Sequence, residues 1–286
     1  MRIGTARLGS AVPVHRVVSG LVAAALFTVA SGGVFAQATQ TAPPAKPQTD
    51  KPAQVAPTAP AEKLPAGTEI IDRHIKAIGG REAVLSHSSS RATGTFGVPA
   101  AGINGSVEVL AAKPNRMLMR ITIPGLGEMF EGFDGTHAWS ISPMTGAAVH
   151  QGKQLEERRF DSDYYGELKS PERYESITTV EKTTLEGRSV FKVRLVRKGG
   201  GEDIEFYDVQ TGLKAGSTNT RETPMGTITA TTIESDYKKF GNLLIPTTIK
   251  QSGMGVEQVM TITTVEFDTV DAKAFEPPAQ IKALIK

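Results

Sequence analysis

The sequence contains no cysteine. It therefore forms no disulfide, ligates no iron–sulfur cluster, builds no thiolate zinc site and carries no lipid on an N-terminal cysteine. Histidine is scarce, at five residues, and tryptophan occurs once. The histidines show no metal-like spacing such as His-x-x-x-His, and no Gly-x-Ser-x-Gly elbow is present to expose a nucleophilic serine. The sequence thus offers no catalytic set, no metal ligands and no cofactor motif. Gly199-Gly200-Gly201 lacks the Lys-Ser/Thr of a phosphate loop and sits between two strand-like segments, as a hairpin turn would. A bulk excess of one charge is absent too. Residues 1–36 hold three arginines and no acidic residue, so 32 basic and 30 acidic side chains become 29 and 30 once that segment is removed. The remainder has no general attraction for nucleic acid.

A single long apolar run is present, from Val17 to Phe35, preceded by Arg2, Arg7 and Arg16. Val34-Phe35-Ala36 then places short side chains at the positions a signal peptidase reads, so cleavage is expected after Ala36 and the mature chain in the periplasm. The alternative, a retained anchor, is opposed by Ser31-Gly32-Gly33 breaking the run. Residues 37–66 carry Pro43, Pro44, Pro47, Pro52, Pro57, Pro60 and Pro65 among Ala, Thr, Gln and Lys. Such a segment buries too little to offset its ordering entropy and reads as an extended tether. One folded domain is expected over 67–286.

That domain opens with a helix whose Ile70, Ile71, Ile75 and Ile78 share a face, with Thr68 as its expected N-cap and Gly79-Gly80 as its stop. His74 lies beside that face and reads as a satisfied or half-exposed helix histidine. Period-two alternation dominates afterwards. In Arg116–Ile123, Met117, Met119, Ile121 and Ile123 point one way, and Leu118, Arg120 and Thr122 the other. The pattern recurs in Ser106–Leu110, Val190–Arg197, Asp203–Asp208, Thr227–Ile233 and Gln258–Phe267. Asp134-Gly135, Pro143–Gly146, Glu186-Gly187, Val209–Gly212 and Gly241-Asn242 supply turns. About ten hairpin-linked strands point to an antiparallel meander curling into a barrel or partial barrel. Lys153 to Lys169 loses the alternation, and Leu155, Arg159, Tyr164 and Leu168 suggest helical turns there, either a lid or plug or a plain surface crossover.

Seven methionines fall in the β region: Met117, Met119, Met129, Met144, Met225, Met254 and Met260. Methionine fills gaps in cores and also suits surfaces that repack around variable apolar partners. Met117, Met119, Ile121, Phe130, Phe133 and Trp139 are the candidate ligand-lining residues. The loops around Pro124–Gly127 and Met225-Gly226 could form an apolar rim. Trp139 reads as either packed core or cavity wall; glycines on either side of Phe130 and Phe133, which would let a chain approach, favour the wall.

Four segments together resemble the LolA/LolB-like superfamily, in particular the outer-membrane lipoprotein-sorting protein group. They are Ile70–Ala83, Phe133–Trp139 ending at Pro143–Gly146, Phe206–Leu213 and Ser235–Pro246, in the expected order along the chain. The resemblance implies a mainly β protein, an antiparallel incomplete (half) β-barrel wrapped over a few helices. It further implies a non-catalytic, monomeric periplasmic carrier of lipids or of the acyl chains of lipoproteins. The alternative it carries is an interaction or stress-sensing module that docks an envelope or outer-membrane protein. The Pro-rich tether departs from the classical carrier and suggests a relative with its own cargo or partner.

Overall fold

The computed structural model describes residues 63–285, apart from 224–225. The leader, the tether as far as residue 62, and Met225 of the suggested rim lie outside the described residues. Helix α1 spans Gly67–Ala77 and α2 spans Gly80–Leu85. Ile70, Ile71, Ile75 and Ile78 are all buried, as their spacing requires. The helix starts earlier than Thr68, however. Ala66 is its N-cap, and its backbone N–H donates to Glu69 Oε2 at 3.2 Å, so the acid three residues on fixes the first turn in place of a threonine hydroxyl.

Among the described residues fifteen strands follow, more than the sequence alone suggests. The first six are β1 (Ser89–Val98), β2 (Ile103–Ala112), β3 (Arg116–Ile123), β4 (Gly127–Phe133), β5 (Ala138–Ser142) and β6 (Gly146–His150). After a helical segment come β7 (Tyr174–Leu185), β8 (Arg188–Arg197), β9 (Glu202–Asp208), β10 (Lys214–Thr223) and β11 (Gly226–Ser235). A small hairpin, β12 (Lys238–Phe240) with β13 (Leu243–Ile245), precedes β14 (Thr248–Gly253) and β15 (Val256–Phe267). Thirteen strands form one antiparallel sheet in the order β6-β5-β4-β3-β2-β1-β15-β14-β11-β10-β9-β8-β7. β1 and β15 approach so closely that a Cβ on Gly94 would lie 1.9 Å from the carbonyl oxygen of Thr261. Only glycine fits at that register shift.

The sheet does not close, because its two edges, β6 and β7, do not pair with each other. They are nevertheless consecutive in sequence. The chain between them must cross from one edge to the other, and it does so as α3 (Gly152–Asp161), a 3-10 turn (Gly166–Lys169) and α4 (Ser170–Arg173). This is the segment whose alternation fails in the sequence, and it is helical.

One face of the sheet carries the main core. Met117, Met119, Ile121, Val107, Val109, Phe96, Met260, Ile262 and Ile249 belong to one core cluster with the four isoleucines of the opening helix. On the opposite face a smaller cluster gathers Leu110, Leu118 and Trp139 beneath Phe275 and Ile281 of the C-terminal segment. That segment is a 3-10 turn (Ala272–Phe275) followed by α5 (Ala279–Lys282). No described helix is long and apolar enough to cross a membrane.

Candidate ligand-binding site

The six candidate lining residues do not share one surface. Along β3, Met117, Met119 and Ile121 face the helix-covered side. Met117 pairs with Phe133 across to β4, which puts Phe133 on that side as well. Phe130 and Trp139 belong to the other side. Phe130 pairs with Ile141 and Gly132 with Trp139, and all of these join the cluster under the C-terminal segment or sit directly against it. The indole lies flat over Gly132, where a Cβ would come within 2.2 Å of the ring. Trp139 is 2% exposed and stands behind the sheet from the other four. Counting alternate residues gives each strand its parity, but relating one strand's parity to the next requires the register, and turn residues alone do not supply it.

Helix α3 crosses the open side of the sheet, close to β5 at one end and to β10 at the other. It buries none of its residues fully. Polar clamps hold it instead. Arg158 donates to Glu131 of β4 at 2.7 Å, with both side chains largely buried. At the other end the Phe160 ring lies between two guanidinium groups, with Arg173 at 3.7 Å and Arg197 at 4.4 Å from its centroid. Arg197 is itself held bidentately by Asp203, at 2.6 Å for each bond. Burial works to lower the Arg197 pKa, but this carboxylate outweighs it and holds the guanidinium firmly charged. None of these partners carried a sequence signal beyond the odd parity of Glu131 and Asp203, acids at inward positions of their strands.

Between α3 and the β8–β9 rim runs an open groove of about 900 Å³. Lys153, Glu156 and Phe160 line it from α3 and Arg197 from the inward face of β8, while Ile204 and Thr218, which pair with each other, line it from the outer face, so the groove wraps the rim. None of the six sequence candidates lines it. The antiparallel order puts the turns at 99–102, 124–126, 143–146, 198–201 and 253–256 at one end of the sheet. The groove includes Gly199, Gly200 and Gly201 and therefore opens on that rim.

His74 and His87 take structural positions. His74 is 1% exposed; its Nδ1 accepts from the Lys214 N–H at 3.2 Å, and its Nε2 lies 3.0 Å from Glu167 Oε1. A buried histidine beside an acid is the arrangement that would revive an enzymatic reading. Here both ring nitrogens face fixed protein partners, and the ring pins α1 to β10 and to the 3-10 turn. At a second site His87 bridges Asp268 and Asn242, each at 2.9 Å. Ser88 Oγ donates to Asp268 at 2.8 Å, not to the imidazole, so hydroxyl, imidazole and carboxylate stand in an order that activates no nucleophile. This cluster ties the start of β1 to the end of β15.

The geometry has counterparts among solved structures. A DUF1329 family protein from Desulfovibrio piger superimposes with a TM-score of 0.52 at 11% identity, covering 73% of this chain and 95% of the other. A LolA superfamily protein from Nitrosomonas europaea superimposes with a TM-score of 0.50 at 10% identity, covering 75% and 99%. The fold is LolA-like. No protein-family model matches the sequence, and no curated protein matches it either. At such identities the likeness concerns the backbone, and the open LolA-like sheet with its helices is what the proteins share.

Proposed function

We propose that the protein is a non-catalytic periplasmic carrier that binds lipids or the acyl chains of lipoproteins between α3 and the inward face of the LolA-like sheet. The observation that carries this reading is the seating of α3. A helix with no fully buried residue lies across the open side of a sheet whose inward face bears Met117, Met119, Met129 and Met260, and it is held there by Arg158–Glu131 and by the Phe160 sandwich. Polar clamps release more readily than an interdigitated apolar seam, and methionines repack around chains of different shape. Met117, Met119, Ile121 and Phe133 are the proposed lining on this side. Burying the methylenes of a sixteen-carbon chain contributes on the order of 10 kcal/mol before ordering costs, enough for tight but reversible binding. The leader expected from the sequence would deliver the protein to the compartment where such cargo travels.

A second reading has support of its own. Under α1 the inward face is filled by Ile70, Ile71, Ile75 and Ile78, which favours a module that docks an envelope protein over one with a deep cavity there. The acyl reading therefore concerns the half of the face beneath α3. Titration of the mature protein with an environment-sensitive fluorescent fatty acid separates the two. The expected result is saturable one-to-one binding, reversed by unlabelled fatty acid; a probe signal that never saturates, or that unlabelled fatty acid leaves unchanged, contradicts the carrier reading.

A further inference from the structure

Three buried polar side chains stand side by side on neighbouring strands of the inward face. Thr232 on β11 pairs with Gln251 on β14, and Gln251 pairs with Gln258 on β15. All three residues are buried, and Thr232 Oγ1, Gln251 Oε1 and Gln258 Oε1 have no hydrogen-bond partner among the described residues. Each such group has given up its hydration without a hydrogen bond in return. Three in register are a concentrated penalty that a purely structural core would shed by using leucine or valine.

The row has a defined place in the fold. Two residues along β14 and β15 in one direction are Ile249 and Met260, which pair with each other and belong to the main core. Two residues along β14 in the other direction is Gly253, paired with Val256 at the turn on the rim. The row thus lies about 7 Å inside the rim, with apolar surface below it. On the other flank Ser217 of β10 pairs with Thr232, and Glu205 of β9 pairs with Ser217. The neighbouring charges are committed to one another. Glu205 accepts from Tyr207, Arg197 holds Asp203, and Lys214 lies 3.0 Å from Glu234. Two carboxamides and a hydroxyl, with no hydrogen bond to a cationic side chain among the described residues, match a head that is neutral and both donates and accepts hydrogen bonds. An anionic head would be desolvated there without a counter-charge.

We infer that Thr232, Gln251 and Gln258 form a subsite for the uncharged, hydroxyl-bearing head of an acylglycerol whose chain extends inward over Ile249 and Met260. This rests on the acyl-binding reading and adds to it a preference among head groups. A carboxamide end turned over presents N–H in place of C=O, so the pair of glutamines serves a hydroxyl as donor or as acceptor.

The test compares monolauroylglycerol, lauric acid and lauroyl lysophosphatidylglycerol as competitors of the fluorescent fatty acid on the mature protein. The expected result is that the neutral glyceride binds about tenfold or more tightly than either charged ligand. In Q251L/Q258L that preference should vanish while lauric acid binds as before, and the thermal midpoint of the empty protein should rise, because two unpartnered polar groups are gone. Thr232→Val, an isosteric change, gives the same readouts more mildly should the double variant fold poorly. Equal binding of the three ligands, a preference that survives the leucines or the valine, or a lowered midpoint in a folded variant overturns the subsite and leaves acyl binding standing. No displacement of the probe by any of the three overturns acyl binding itself.

Discussion

At Gly132 a missing side chain decides the packing of a large one. The Trp139 indole occupies the space a Cβ would take, so Gly132→Val must push the ring off the sheet or bend β4. The expected cost is about 1–3 kcal/mol, read as a lower urea midpoint with an unchanged slope. Turn acids act at the same scale. Burial raises the pKa of Asp208, but N–H donation from Thr211 and Gln210 and the Thr211 hydroxyl outweigh it, and the net shift is downward. Asp134 and Asp268 are lowered against burial in the same way, by N–H groups and a nearby histidine. A carboxyl with a lowered pKa in the fold binds fewer protons there than in the unfolded chain. Its contribution is complete above the ordinary value of 3.8 and is lost as pH falls through the lower folded value. Urea midpoints should therefore decline from neutral pH toward about pH 3, and Asp208→Asn should make that decline shallower. An equally steep decline in the variant would take Asp208 out of the acid response. The turns at Asp134-Gly135 and Val209–Gly212 were legible in the sequence because turn chemistry is local. Gln251 and Gln258 were not, since a glutamine at an inward position is visible only once the strand has been paired and its parity fixed.

At the scale of elements, alternation and turn residues located most strands, and the four isoleucines located α1. The crossing of α3 could not be read, because the spacing of charged residues on an exposed helix says nothing about which sheet residue each meets. The clamp makes a definite expectation. Arg158→Ala leaves Glu131 buried without its partner and should cost about 3 kcal/mol, whereas R158M/E131L should recover most of that stability. If the double variant is as unstable as the single one, the pair is not what seats α3. Arg158→Ala should also speed protease cleavage between residues 151 and 162, and R158M/E131L should restore most of the protection. The C-terminal segment was equally hidden. Phe275 and Ile281 are two ordinary apolar residues in the sequence, yet they cover Trp139. Removing residues 271–286 should shift the tryptophan emission to longer wavelength and destabilise the domain by several kcal/mol, on the order of 1.5–3 for each of those side chains. Emission unchanged by the deletion would mean that the segment does not shield the indole.

For the whole molecule, the open sheet follows from its topology. β6 and β7 are sequence neighbours placed at opposite edges, so the chain that links them has to bridge the opening, and it does so with α3. The half-barrel was legible in advance from the density of hairpin turns and the four segments that resemble LolA-like proteins. Which candidate residues share a face was only partly legible: Met117, Met119, Ile121 and Phe133 are on the inward face, while Phe130 and Trp139 stand behind it. The central claim is that this face holds acyl chains. The most direct measurement is native mass spectrometry, with lipid extraction, on mature protein purified gently from the periplasm. The expected spectrum shows a lipid adduct near one per chain that organic extraction removes and identifies. Protein that is consistently empty, and stays empty when offered acyl ligands, would contradict the carrier reading.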